Sequence, residues 1–247
     1  MSAPRVALVT GSSRGIGAAI ARRLSSDGLR VILHGRSDSE ALAEIAEELG
    51  APVITGDLAE GDTATRVVAD AFAVHGALDA LVLNAGGGKG GLVTDQSIAA
   101  IDAQLALNLR ATILATAQFA RCTRSQAGRI VFISSGMATH GAPGVSVGAA
   151  AKAGAEGFMR SMAQELGPRG ITCNSVAPGC TRTEMIAGQT WPDAVPPWTA
   201  LRRLGEPQDI ADVVGFLVSD DARWLTGLTL AANGGLVTTA ANILARA

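Results

Sequence analysis

Short apolar runs and longer segments with helical spacing alternate along the whole chain. The runs Arg5–Val9, Arg30–Leu33, Pro52–Thr55, Ala77–Leu83, Arg129–Ser134, Ile171–Val176 and Leu228–Ala231 predict strands. Most are continuously apolar rather than alternating, the pattern of parallel strands covered on both faces. Between them, Gly17–Asp27, Ser39–Leu49, Thr63–His75, Ser97–Arg124, Ala149–Leu166 and Pro207–Ser219 predict helices. Repeated strand–helix–strand order implies right-handed crossovers and a Rossmann-type, doubly wound α/β fold with a parallel sheet of about seven strands. No repeat, low-complexity tract or linker interrupts the pattern, so residues 1–247 are expected to form a single domain. The irregular stretch 183–204 holds Trp191, Pro192, Pro196, Pro197 and Trp198. It is expected to be a lid over a pocket or an anchored surface loop.

Composition narrows the function classes. With 48% hydrophobic and 17% charged residues the chain can bury a sizeable core, which excludes disorder and small disulfide scaffolds. No uninterrupted apolar run reaches the roughly 18–20 residues of a membrane span. The first residues lack the pattern of a secretory signal. Cys122, Cys173 and Cys180 are odd in number and have no metal-ligand spacing. They point to reduced thiols in a cytoplasmic protein. A net charge of −2 without a basic cluster argues against nucleic acid or anionic membrane as a partner. The chain contains no tyrosine.

The segment Thr10-Gly11-Ser12-Ser13-Arg14-Gly15-Ile16-Gly17 follows the first strand and opens the first helix. Gly11 permits a tight turn, Gly15 a close backbone approach to a pyrophosphate, and Gly17 close helix–sheet packing. The helix N-terminus then offers free N–H groups and a positive dipole end to phosphates.

This segment, with several others in order, resembles the short-chain dehydrogenase/reductases, particularly their 3-oxoacyl-carrier-protein reductase-like branch. The others are Asp57, Asn84-Ala85-Gly86, Asn108, Ile133-Ser134-Ser135, Ala149–Gly154, Pro178-Gly179 with Thr183, Arg203–Pro207 and Asn233-Gly234-Gly235. The resemblance implies a cofactor site of Gly11, Ser13, Arg14, Gly15, Ile16, Gly17, Arg36, Asp57, Leu58, Asn84, Ala85, Gly86, Lys152, Pro178, Gly179, Thr181 and Thr183. It gives Asp57 to the adenine amine, Asn84 to the cofactor cleft and Thr183 to the nicotinamide carboxamide. Taken alone, Asp57 is equally a capping carboxylate.

Cofactor preference follows from charge. An acid at the end of the second strand would accept the ribose hydroxyls and repel a 2′-phosphate, but His34-Gly35-Arg36 stands there. Arg36 and Arg14 favour NADPH/NADP+ over NADH, unless both are merely solvated surface charges.

The resemblance also implies hydride transfer between nicotinamide and a carbonyl. Ser135 would hold the substrate oxygen, and a tyrosine at position 148 would move the proton. Lys152, one turn later, would lower that tyrosine's pKa and bind ribose, and Asn108 would hold a relay water. Position 148 is instead Gly148, in a segment whose flanks match too well for a register error. Its loss removes about 10²–10⁴-fold of acid catalysis, against about 7–11 kcal/mol available from positioning. The space left, on the order of 100 Å³, suits a few waters or a substrate group.

The expectation is therefore a ketoreductase with an atypical active site, its proton supplied by water or by an acidic substrate hydroxyl. The substrate would be a small-molecule ketone, with room for a bulky or polycyclic one. His140, in an expected loop over Gly136–Gly144, is an alternative acid, whereas His34 and His75 are assigned no catalysis. Rival readings are an enzyme of proton chemistry only (dehydration, isomerisation or cyclisation), a non-catalytic partner subunit, and a Tyr-to-Gly engineered variant. The small-residue faces of Ser97–Arg124 and Ala149–Leu166, with the C-terminal segment, imply a homotetramer by the same resemblance.

Overall fold

The computed structural model describes residues 4–236. The strands are β1 (Val6–Val9), β2 (Arg30–Gly35), β3 (Val53–Thr55), β4 (Ala80–Leu83), β5 (Arg129–Ile133), β6 (Thr172–Pro178) and β7 (Thr229–Ala232). They form one sheet in the order β3-β2-β1-β4-β5-β6-β7, with every neighbouring pair parallel. This is the expected Rossmann-type architecture. The order reverses between β1 and β4, and in such sheets the ligand crevice opens there, beyond the carboxyl ends of the strands.

The helices are α1 (Gly15–Ser26), α2 (Glu40–Leu49), α3 (Thr63–His75), α4 (Ile98–Leu105), α5 (Ala111–Cys122), α6 (Met137–His140), α7 (Ser146–Leu166) and α8 (Pro207–Val218). They cover the sheet in two layers. On one face Val67, Val68 and Ala71 of α3 meet Phe119 of α5 and Met159 of α7 against Leu8, Leu81 and Ile130. On the other, Ile20 and Leu24 of α1, Leu42 of α2 and Ile210 and Val214 of α8 pack on Val9, Leu33 and Val131. Both faces of the central strands are therefore buried, which is why their sequences show no alternation.

Three boundaries correct the sequence reading. The strand expected from Ala77 starts at Ala80; just before it, the Asp79 carboxylate accepts from the Val6 N–H at 2.9 Å. The loop expected over 136–144 contains the short helix α6. The helix expected over Ser97–Arg124 is broken at Ala106–Arg110 into a π turn between α4 and α5. The Asn108 side chain donates to the Gln104 carbonyl at 2.9 Å, the acceptor that an α-helical N–H would use. The ladder steps to the wider spacing at that point.

Taken through this turn, Ile98–Cys122 has 25 residues, with an 18-residue stretch of mean hydropathy 1.3, long and apolar enough to cross a membrane. The earlier expectation counted uninterrupted runs, and Asp102 and Arg110 interrupt this one. Its Ala111, Ala115 and Phe119 lie in the core, whereas Ile98 is 79% exposed.

Candidate active site

The crevice is built where two strand ends and one helix start are stitched together. The Thr10 hydroxyl accepts from the N–H groups of Asn84 and Ala85, each at 3.0 Å. The Asn84 side chain returns two bonds, to the carbonyls of Thr10 (3.0 Å) and Gly11 (2.9 Å). Asn84 thus clamps the glycine loop from the β4 end. Helix α1 begins at Gly15 with no side-chain cap and no acidic residue in its first turn. Its first N–H groups are left for an anionic ligand. A Cβ added at Gly17 would stand 2.0 Å from the Gly11 carbonyl oxygen, so glycine is required there for packing.

His34 is buried under this loop, a role that sequence reading missed. Its Nδ1 accepts from the Gly11 N–H at 3.2 Å, which makes Nε2 the donor to the Gly56 carbonyl at 3.1 Å. The ring is held neutral because burial lowers its pKa. Asp57, next in the chain, spends one carboxylate oxygen on the Ala59 N–H at 2.9 Å. Leu58 is buried, Ser13 and Ile16 are half-buried, and Arg14 and Arg36 are exposed. Neither arginine has an ion pair or side-chain hydrogen bond among the described residues.

On the other side of the crevice, Pro178 ends β6, and its carbonyl accepts from the Gly136 N–H at 2.9 Å. Gly179 follows, packed so closely that its Cβ would meet Asn233 Cα at 2.8 Å. Thr181 is buried and donates to the Gly179 carbonyl at 3.1 Å. Thr183 reaches across to the glycine loop, its methyl 3.2 Å from where a Gly15 Cβ would be.

Lys152 and Asn108 converge on Gly86. A Cβ there would stand 2.9 Å from both Lys152 Nζ and Asn108 Oδ1. Lys152 Nζ donates to the Ile133 carbonyl at 2.7 Å and lies 4.6 Å from the centre of the Phe132 ring. Burial lowers its pKa to about 8, opposed by the charge of Glu156 one turn on. Glu156 is itself buried and accepts from the Ser134 hydroxyl. This pair was also missed. An acid four residues after Lys152, on an Ala- and Gly-rich helix, is the signal that could have found it.

Ser135 extends beyond β5, and its hydroxyl oxygen accepts from the Met137 N–H at 3.2 Å. Asn108 is committed to backbone: its amide donates to the carbonyls of Gly87 (2.7 Å) and Gln104 (2.9 Å), and its oxygen accepts from the Gly87 N–H (3.0 Å). Only the second lone pair of Oδ1 is left for a water. Gly148 lies in the first turn of α7, and a Cβ there would have one neighbour within 4 Å, Gln104 Oε1 at 3.6 Å. His140 is exposed at the end of α6.

The family described as enoyl-(acyl carrier protein) reductase matches residues 11–237. The chain is 36% identical over 248 residues to the short-chain dehydrogenase/reductase eriH of Hericium erinaceus, covering 95% of this chain and 98% of that protein. It is 37% identical to the acetoacetyl-CoA reductase of Shinella zoogloeoides, covering 94% and 98%. A short-chain dehydrogenase of Burkholderia cenocepacia J2315, solved in complex with NADP, superposes with a TM-score of 0.90 at 38% identity, covering 94% and 97%. A matching family over most of the length and relatives of this identity, on the sheet order and crevice described above, establish that the chain belongs to the short-chain dehydrogenase/reductases and is an oxidoreductase of that type.

Proposed function

We propose that the chain is an NADP(H)-dependent carbonyl reductase whose proton comes from water or from the substrate rather than from a tyrosine. One observation carries this reading: Lys152 and Asn108 meet at Gly86, with Lys152 bonded to the Ile133 carbonyl two residues before Ser135, while Gly148 leaves space where the family pattern has its acid. The capped-by-nothing start of α1 and the uncommitted Arg14 and Arg36 support a phosphorylated dinucleotide. The Burkholderia relative's NADP complex supports the same choice.

Bound NADPH would supply a hydride to the carbonyl carbon. The chain's own part is to hold the carbonyl oxygen at the Ser135 hydroxyl and to set the Lys152 cation nearby, so that negative charge developing on that oxygen is stabilised. Water beside Gly148, or a hydroxyl on the substrate, then delivers the proton. A bulky or polycyclic ketone fits this reading better than a small one, because Gly148 leaves room for a substrate group.

Restoring the phenol tests it. Gly148→Tyr should raise NADPH consumption with small activated ketones by about 10²–10⁴-fold, the usual worth of a positioned acid. No gain on any ketone, with NADPH binding intact, would defeat the reductase reading.

We further propose that 183–204 acts as a lid, supported by Thr183 over the glycine loop and by the Leu201 N–H bonded to the Gly234 carbonyl at 3.1 Å. A homotetramer is supported by the apolar faces of α4 and α5 left uncovered in one chain, with Ile98 79% and Ile113 37% exposed. The C-terminal segment expected to form a second interface lies beyond Leu236, outside the described residues. A monodisperse monomer by light scattering at micromolar concentration would overturn the assembly. The three free cysteines support a cytoplasmic setting.

A further inference from the structure

We propose that Gln104 is a specificity-determining residue: its Oε1 accepts a hydrogen bond from a hydroxyl on the ketone substrate. This rests on the carbonyl-reductase reading, and it names what that substrate must carry.

The argument starts from which way an amide can point. Gln96 Nε2 donates to the Gly91 carbonyl at 3.0 Å, and a carbonyl oxygen can only accept. The nitrogen of Gln96 is therefore fixed there, and its oxygen faces Gln104. Gln104 Nε2 donates to that oxygen at 2.9 Å. The network leaves Gln104 one orientation, with Oε1 turned away from Gln96.

That oxygen faces the place where the family's phenol is missing. It lies 3.6 Å from the Cβ position of Gly148 and 3.1 Å from that of Gly88. Gly148 leaves it room on one side, while the Gln104 chain fills the space at Gly88, whose Cβ would stand 2.7 Å from Gln104 Cγ. The Gln104 side chain is otherwise well packed, with the whole residue only 8% exposed. Oε1 has no hydrogen-bond donor among the described residues. Water can reach this acceptor in the free protein, but a ketone that covers it must bring a hydroxyl or leave it without a donor, which is costly. An amide oxygen cannot supply a proton, so Gln104 selects the substrate and leaves proton delivery to the hydroxyl or to water. A site built around a hydroxyl discriminates strongly against the analogue lacking it, since its own polar group is then left unpaired.

The test uses 1-tetralone and its 5-, 6-, 7- and 8-hydroxy derivatives, titrated calorimetrically into the NADP+ complex and assayed for NADPH consumption. The wild-type protein should bind at least one hydroxylated member about tenfold more tightly than 1-tetralone. Gln104→Met, which offers no comparable acceptor, should bring that ratio to about one. Should Gln104→Met bind NADPH poorly, Gln96→Met serves instead: it leaves Gln104 in place, frees its amide to turn, and should lower the ratio about threefold. Equal affinities in the wild type, a preference that survives both methionine variants, or no binding of any tetralone would overturn the assignment. A hydroxyl preference in binding without reduction would uphold Gln104 and sink the reductase reading. Reduction without preference would do the reverse.

Discussion

At Gly17 an added methyl group would stand 2.0 Å from a backbone oxygen, whereas at Gly148 it would meet nothing nearer than 3.6 Å. The two glycines sit on opposite sides of one crevice and are there for opposite reasons. On the cofactor side, side chains hold backbone: the Thr10 hydroxyl, the Asn84 amide and the His34 ring each bond main-chain groups of the loop or the strand end beside it, and little is left to vary. On the substrate side, side chains and spaces set the geometry, and Gly148 has no packing reason to be glycine. A dinucleotide is the same in every enzyme that uses it, while the ketone is not. The rigid side of the crevice is the one with the fixed ligand.

The sharpest way to break this contrast is to add the same methyl group to each side. Gly17→Ala should cost at least the top of the usual overpacking range of about 1–3 kcal/mol, since a backbone oxygen must move. NADPH affinity should fall with it. Gly148→Ala should instead be neutral or stabilising by roughly 0.5–1 kcal/mol, as for glycine replaced within a helix. Thermal unfolding with and without NADPH reads both, and similar losses for the two variants would erase the distinction.

A second expectation sharpens the chemistry of the substrate side. Lys152 is protonated below about 8 and neutral above. Reduction uses the cation, so kcat/KM for a ketone should be level at lower pH and fall about tenfold per unit above about 8. Lys152→Met should be slower and lose this limb. A limb that persists in the variant would assign it to another group.

The smallest expected effect concerns the exposed rim of the cofactor side, where geometry is least fixed. Arg36→Asp should reverse the order of affinities, weakening NADPH about tenfold or more while sparing NADH, through a lost charge-assisted hydrogen bond and an added repulsion. Unchanged affinities would show that Arg36 does not meet the 2′-phosphate. Competitive titration of the two cofactors measures it.

The same contrast explains what was legible in the sequence. Parallel strands buried on both faces announce themselves as continuous apolar runs, and the glycine loop has a fixed spacing because backbone packing demands it. These features are local in the chain. The clamp of Asn108 on Gly87 and the pairing of Ser134 with Glu156 join residues 21 and 22 positions apart, and no periodicity records them. From its place in the sequence, His34 is assigned no catalysis. Only the folded loop shows that its Nδ1 receives the Gly11 N–H. The break at Ala106–Arg110 was illegible for a related reason. An asparagine within an apolar helical stretch gives no sign that its side chain will take a carbonyl from the ladder.

That π turn makes Ile98–Cys122 a helix indexed twice. The residues after it, Ala111, Ala115 and Phe119, keep their positions against the sheet. Those before it, including Gln104, are set by a count one residue longer. Closing the π turn into an ordinary ladder at the same length would rotate everything ahead of it by about 100°, the angular step of an α-helix. Gln104 would turn away from the space beside Gly148 while the core layer stayed as it is. The Asn108 side chain that takes the Gln104 carbonyl is therefore a tuning element, able to present a different helix face to the substrate without asking the rest of the fold to change.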